Sequence, residues 1–211
     1  MSTKPVRRTQ AERSAGTRAA LLDAAIRSLH RYGYAATTTL LVAKDAEVSR
    51  GAMLHQFATK VDLMMFVVES VYEEELDRYE EKLGGISDPQ ERVLAMPRVV
   101  WEVLSRPSGV AVLEILQGSR SDPALAERLA PLQARIERDA LESLSGRLGM
   151  PKGATLSLMR LVVWAVRGLS IAQVLAPDPE NIPKSVDLLQ RLIAAGMRER
   201  EAAAGERPRA L

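Results

Sequence analysis

Apolar positions recur along this chain every three or four residues, and no segment alternates convincingly between apolar and polar. That periodicity predicts helix throughout and gives no strand. A first helix is expected over 14–32, with Leu22, Ala25, Ile26 and Leu29 on one face. Gly33 stands where a C-terminal glycine would end it. Thr37, Thr38 and Thr39 offer capping hydroxyls for a short second helix over 40–46, and Ser49 offers one for a third over 50–56. The run Thr59-Lys60-Val61-Asp62 has the form of a capping box with Asp in place of Glu. It opens a long fourth helix with Leu63, Val67, Ser70, Val71 and Glu74 down one side, and the Glu-rich run 72–82 reads as its solvated face.

Gly84 to Pro89 is the clearest linker, and Asp88-Pro89 is a helix start with proline in the first turn. The helix that follows carries Val93, Pro97, Val100, Trp101 and Leu104. Further helices are expected over 109–117, 124–148, 154–175 and 182–200, with Pro131 breaking or bending the second of these. The expected class is therefore all-α. A three-helix unit with a basic arm occupies 1–60, a larger helical domain 61–200 and a frayed tail 201–211.

Composition narrows the chemistry. Hydrophobic residues make up 46% of the chain but aromatics only 4%, so the apolar mass is Ala, Leu, Val and Met. There is no cysteine, which removes disulfides and thiolate metal sites and fits a cytoplasmic protein. His30 and His55 are the only histidines, too few for a histidine-based metal centre. No Ser-His-Asp set, paired-carboxylate motif or glycine-rich phosphate loop is present, so neither an enzyme nor a cofactor is expected. The most apolar region, 156–176, is interrupted by Arg160 and Arg167, and no membrane span or secretory signal is expected. Net charge is only +2, but Lys4, Arg7, Arg8, Arg13 and Arg18 face a single acid, Glu12, before Leu21. A basic arm of that kind neutralises phosphates.

Two short helices joined by the few residues around Glu47 to Ser49 have helix-turn-helix spacing. Such a unit lays its last helix in the DNA major groove. Arg50 can donate to guanine or phosphate, Gly51 permits close approach, and Ala52 can touch a thymine methyl.

The run from Gly33 to Thr38, then Val42 to Phe57 with Val48-Ser49-Arg50-Gly51-Ala52-Met53-Leu54-His55 at its centre, then Lys60-Val61-Asp62-Leu63, resembles the TetR family of bacterial regulators. The match spans roughly residues 14 to 70. The resemblance implies core roles for Val42, Ala43, Ala46, Val48, Met53 and Phe57. It implies DNA contacts from Thr38, Ser49, Arg50, Gly51, Ala52, Leu54, His55 and Lys60. Three positions depart from the pattern: Glu47 stands where the turn usually has Gly, Leu54 where Tyr is usual, and Leu41 where a charge is common.

The resemblance also implies that the larger domain holds a small-molecule pocket and a dimer interface. Pocket candidates are Met64, Met96, Trp101, Leu104 and Leu113, with Leu116, Gln117, Trp164 and Arg167. Candidates for the interface are Leu156, Met159, Val163 and Val166 on one helix and Leu188, Leu189, Leu192 and Ile193 on the last. The function expected is a dimeric regulator, a repressor, that binds a palindromic DNA operator and is released by a small molecule. The alternative is a DNA-binding regulator with no effector.

Overall fold

A computed structural model of the chain describes residues 9–148 and 150–205. Among the described residues the fold is all-helical, with nine helices and no strand. In order these are α1 (Gln10–Ala36), α2 (Thr39–Asp45), α3 (Arg50–Gln56), α4 (Lys60–Leu83), α5 (Pro89–Leu104), α6 (Pro107–Gly118), α7 (Pro123–Leu148), α8 (Lys152–Leu175) and α9 (Asn181–Gly205).

The starts of the helices follow their caps. Thr9 and Glu12 form a reciprocal capping box: the Glu12 N–H donates to Thr9 Oγ1 at 3.2 Å and the Thr9 N–H to Glu12 Oε2 at 2.7 Å. That box starts α1 four residues earlier than its apolar stripe suggests. Of the basic arm, Lys4, Arg7 and Arg8 lie outside the described residues, while Arg13 and Arg18 lie on α1. Gly33 does interrupt α1, at φ 77° and ψ 176°, but Tyr34 to Ala36 continue as one further helical turn. The Thr38 and Ser49 hydroxyls accept from the N–H groups of Leu41 and Ala52 at 3.1 and 3.2 Å. Thr59 and Asp62 exchange hydrogen bonds of 2.9 and 3.0 Å at the head of α4. Asp88 caps α5 through the Glu91 N–H at 2.8 Å.

Of the two outcomes expected at Pro131, a break does not occur. α5 runs through Pro97 and α7 through Pro131 without a break. Pro131 removes one donor from the helix, but Glu127, whose carbonyl loses that partner, is exposed, so water can serve it.

The chain packs as two compact units, one of Met1–Tyr72 with Ala111–Ala130, the other of Glu73–Val110 with Pro131–Leu211. The first unit takes in the first half of α4, most of α6 and the start of α7. Its fully buried side chains include Leu21, Leu29, Val42, Met53, Leu63, Met64, Ile115 and Leu125. In the second unit α5, α8 and α9 pack together. One core cluster there joins Val100, Val103, Leu104, Val162 and Val166, bordered by Tyr79 and Trp101; another joins Val93, Met96 and Leu148.

α8 is the one described helix long and apolar enough to cross a membrane, with mean hydropathy 1.5 over its richest window. In this fold its Met159, Val162, Val166 and Ser170 are buried within the unit, and Arg160 is paired with Glu137 at 2.7 Å.

Candidate functional site

In the first unit, α2 and α3 form the helix-turn-helix. The turn between them passes through Glu47 at φ 55°, the only non-glycine residue with positive φ among those described. The left-handed conformation costs a residue with a Cβ about 1–2 kcal/mol, and the chain sustains it where glycine would be cost-free. Val42, Ala43, Met53 and Phe57 are buried behind the turn, while Ala46 and Val48 are half-buried. Burying Met53 and Phe57 on one side of α3 leaves Arg50, Gly51, Leu54 and His55 exposed on the other. A Cβ added at Gly51 would meet nothing within 4 Å, so the backbone there is open to a close approach. Leu54 is 49% exposed, an apolar side chain facing solvent on an otherwise polar surface. Thr38 and Ser49 are exposed at the N-termini of α2 and α3, and Ala52 is half-buried. Seven of the eight residues expected to meet DNA therefore lie on α3 or at the two caps.

Lys60 is placed differently. Its Nζ donates to the Tyr34 carbonyl at 2.6 Å and sits 3.8 Å from the centre of the Tyr34 ring. Burial lowers its pKa, opposed by the nearby Asp122 carboxylate. Tyr34 is the hub of a clamp that the sequence did not disclose. Its hydroxyl donates to Asp122 Oδ2 at 2.5 Å, its N–H donates to Glu114 at 3.2 Å, and Gly118 lies against its ring. Burial first, and then the Asp122 hydrogen bond, raise the tyrosine pKa, while the tyrosine hydroxyl lowers that of Asp122. Arg128 pairs with Asp62, holding the start of α7 to the head of α4. Arg18 is also engaged, its guanidinium 4.1 Å from the Phe66 ring and 5.0 Å from Phe57. These contacts tie α1, α4, α6 and α7 of the unit into a rigid backing for the reader.

The pocket candidates are divided between the two units. Met64 and Leu113 are buried in the first unit, where Leu116 is half-buried and Gln117 exposed. Met96 and Leu104 are core residues of the second unit, and Trp101 borders the same core. Trp164 is 56% exposed and faces outward on α8. Arg167 is the exception. Its Nε and Nη1 are sealed from solvent and have no hydrogen-bond partner. Glu75 on α4 is in the same condition, with Oε1 buried and unpartnered. The expectation that 72–82 is wholly solvated is thus corrected: α4 continues its buried phase Leu63, Val67, Val71 into Glu75, one residue beyond the expected Glu74.

Burial pushes the Glu75 carboxyl up to about 7, against the pull of Arg167 and with a smaller push from Glu74. A carboxyl whose folded pKa exceeds its unfolded value stabilises the fold most at low pH, and that stability is lost as pH rises through the folded value. The stability of Glu75→Gln relative to the parent should therefore rise between pH 4.5 and about 7. The total change should be about 3 kcal/mol, with a plateau above. Urea titrations of both proteins across that range check it; a pH-independent difference would refute the assignment.

Two of the interface candidates are buried in the single chain. Met159 and Val166 are buried in the core of their own unit, and Ile193 packs against both core clusters. Leu156, Val163 and Leu189 are half-buried. Leu188 and Leu192 are exposed as expected, at 49% and 61%. With them on the surface of the unit are Leu161, Trp164, Gly168, Ala172 and Leu175, a stripe at helical spacing along α8.

Comparison with known proteins agrees with this geometry. The model of the family described as bacterial regulatory proteins, tetR family, matches residues 21–65. The chain is 30% identical over 186 residues to the HTH-type transcriptional regulator CymR of Pseudomonas putida, covering 85% of this chain and 90% of CymR. Its fold superposes on a transcriptional regulator from Rhodococcus sp. Rha1 with TM-score 0.65 at 22% identity, over 85% of this chain and 96% of that one. It superposes on the multidrug binding protein EbrR, complexed with imidazole, with TM-score 0.59 at 26% identity, over 83% and 93%. An exposed α3 reading face in a helix-turn-helix, together with a full-length relative at this identity, settles the family: the chain is a DNA-binding transcriptional regulator of the tetR family.

Proposed function

We propose that the protein is a dimeric repressor that binds a palindromic operator through α3 and is released from it by a small molecule. The observation that carries the DNA half of this reading is the exposed face of α3. Arg50 supplies donors for guanine O6 and N7, Leu54 an apolar contact for a thymine methyl, and His55 a polar one. Gly51 lets the helix backbone approach the duplex. Thr38 and Ser49 place hydroxyls and helix N-termini toward phosphate, and Ala52 completes the surface. Lys60 acts as a positioning residue, holding α4 to Tyr34, rather than as a phosphate contact.

The apolar stripe on α8 and α9 supports the dimer. Leu161, Trp164, Leu175, Leu188 and Leu192 are large apolar side chains exposed on two helices that touch, and a run of such side chains marks an interaction site. Two such helices from each copy would close a four-helix bundle and present two reading helices about 34–36 Å apart, one turn of DNA. EbrR, a relative in fold, takes a small molecule, which favours an effector here. No catalytic step is assigned, and the site of action is the chromosome in the cytoplasm.

Placing charge in the stripe tests the assembly. Leu161→Glu combined with Leu192→Glu should give a monomer by sedimentation. Operator affinity should fall at least about tenfold, because one reader must then bind without the other. A double variant that remains dimeric would overturn the interface. Effector release is tested by operator affinity measured with and without candidate small molecules, the operator being recovered by selection from genomic fragments.

A further inference from the structure

Resting on the effector reading above, we propose that the second unit takes a small organic anion, a carboxylate joined to an apolar body, gripped by Arg167 of α8 opposite Glu75 of α4. Arg167 stands apart from the other arginines of the unit. Arg78, Arg98, Arg147 and Arg160 each hold a carboxylate at the surface. Arg92 also has an unpartnered Nε, but its Nη2 donates to the Ile86 carbonyl at the head of α5. Arg167 has two sealed donors, Nε and Nη1, and nothing to receive them. Its guanidinium lies 5.6 Å from the centre of the Trp164 ring.

Glu75 and Arg167 attract one another across the interior, yet no hydrogen bond joins them. A buried guanidinium without a bonded counterion is costly, and a carboxylate with its matching planar geometry is the group that relieves it. Burial places the Glu75 carboxyl near neutrality in its titration, so it can take up a proton and offer an O–H to the incoming carboxylate instead of repelling it. Apolar and aromatic side chains stand next to the two charged groups. Tyr79, one turn beyond Glu75, interacts electrostatically with both charged groups. It packs on the same cluster as Trp101, Val162 and Val166, the last adjoining Arg167 in the chain. The small-molecule class follows: one carboxylate, because two guanidinium donors have no acceptor, and few further polar atoms, because the neighbouring side chains are apolar.

The test uses the full-length protein with benzoate and hexanoate as anions and benzamide and hexanamide as neutral counterparts. Calorimetry and thermal midpoints are the readouts. At least one anion should bind with Kd below about 10 mM and raise the midpoint by roughly 3–6 °C at ten times Kd. Its amide should bind at least about tenfold more weakly. Arg167→Gln should abolish the preference for the anion. Arg167→Lys, which keeps the charge and guards against a misfolded glutamine variant, should retain it with weakened affinity. Arg98→Gln, at a surface ion pair, should change nothing. Equal affinity for anion and amide, no binding by either anion, or full anion binding by Arg167→Gln would overturn the proposal. The two readings separate cleanly. Anions that bind at Arg167 without altering operator affinity would leave the site standing and defeat the effector role. Operator release by neutral compounds, unaffected by Arg167→Gln, would do the reverse.

Discussion

Reversing the charge at Arg50 is expected to weaken operator binding at least about 100-fold while leaving the fold intact. Arg50 is the first residue of α3, directly after the Ser49 cap, and is exposed. On the proposed docking of α3, Arg50→Glu removes a donor for guanine or phosphate and replaces it with a charge that repels the duplex. In a dimer the loss is incurred twice. A single good base contact is worth about 1–3 kcal/mol, so two losses give at least about 30-fold, and the added repulsion carries the total past the stated factor. Folding should not suffer, because an acidic residue in the first turn suits the positive end of the helix dipole. The variant should therefore match the parent in thermal midpoint and helical circular dichroism. Fluorescence anisotropy against operator DNA at several salt concentrations should show weaker binding and a shallower salt slope. Parental affinity in a correctly folded Arg50→Glu protein would remove α3 as the reader.

Gly118→Ala should destabilise the protein by about 3 kcal/mol or more. A Cβ at this position would lie 2.3 Å from Tyr34 Cγ and 2.4 Å from Cδ1, well inside contact distance. Relief would require the ring to swing, but the ring is held at every edge. Its hydroxyl is bonded to Asp122, its own N–H to Glu114, and Lys60 sits over its face. Overpacking a tight site usually costs about 1–3 kcal/mol, and loss of the Asp122 bond would add to that. Gly146→Ala is the control. Nothing lies within 4 Å of that added Cβ, and the site is an exposed position of α7. It should be stabilised by about 0.5–1 kcal/mol, since alanine favours helix. Urea unfolding of the two variants beside the parent gives both numbers. A Gly118→Ala protein as stable as the parent would show that the clamp yields easily.

Much of the fold could be read from local chemistry. Caps at Thr38, Ser49 and Asp88 and the Thr59–Asp62 box located four helix starts, because each satisfies donors that the chain itself exposes. The reading face of α3 was legible for the same reason, since Met53 and Phe57 must be buried and Arg50, Leu54 and His55 are left over. Where one helix is apolar on two sides, periodicity fails. α8 buries Met159, Val162 and Val166 and exposes Leu161, Trp164 and Leu175, and a count of apolar positions cannot say which stripe faces inward. The α4 phase slipped by one residue because Glu74 and Glu75 are both acids, and only packing shows that Glu75 is the buried one. The Tyr34–Asp122 bond joins residues 88 positions apart and leaves no local signature.

The Tyr34 clamp has a mechanical consequence. Because α6 is bolted to the end of α1, and Lys60 bolts the head of α4 to the same point, three helices share one fastening at Tyr34. Removing that single side chain would release α1, α4 and α6 from one another at once.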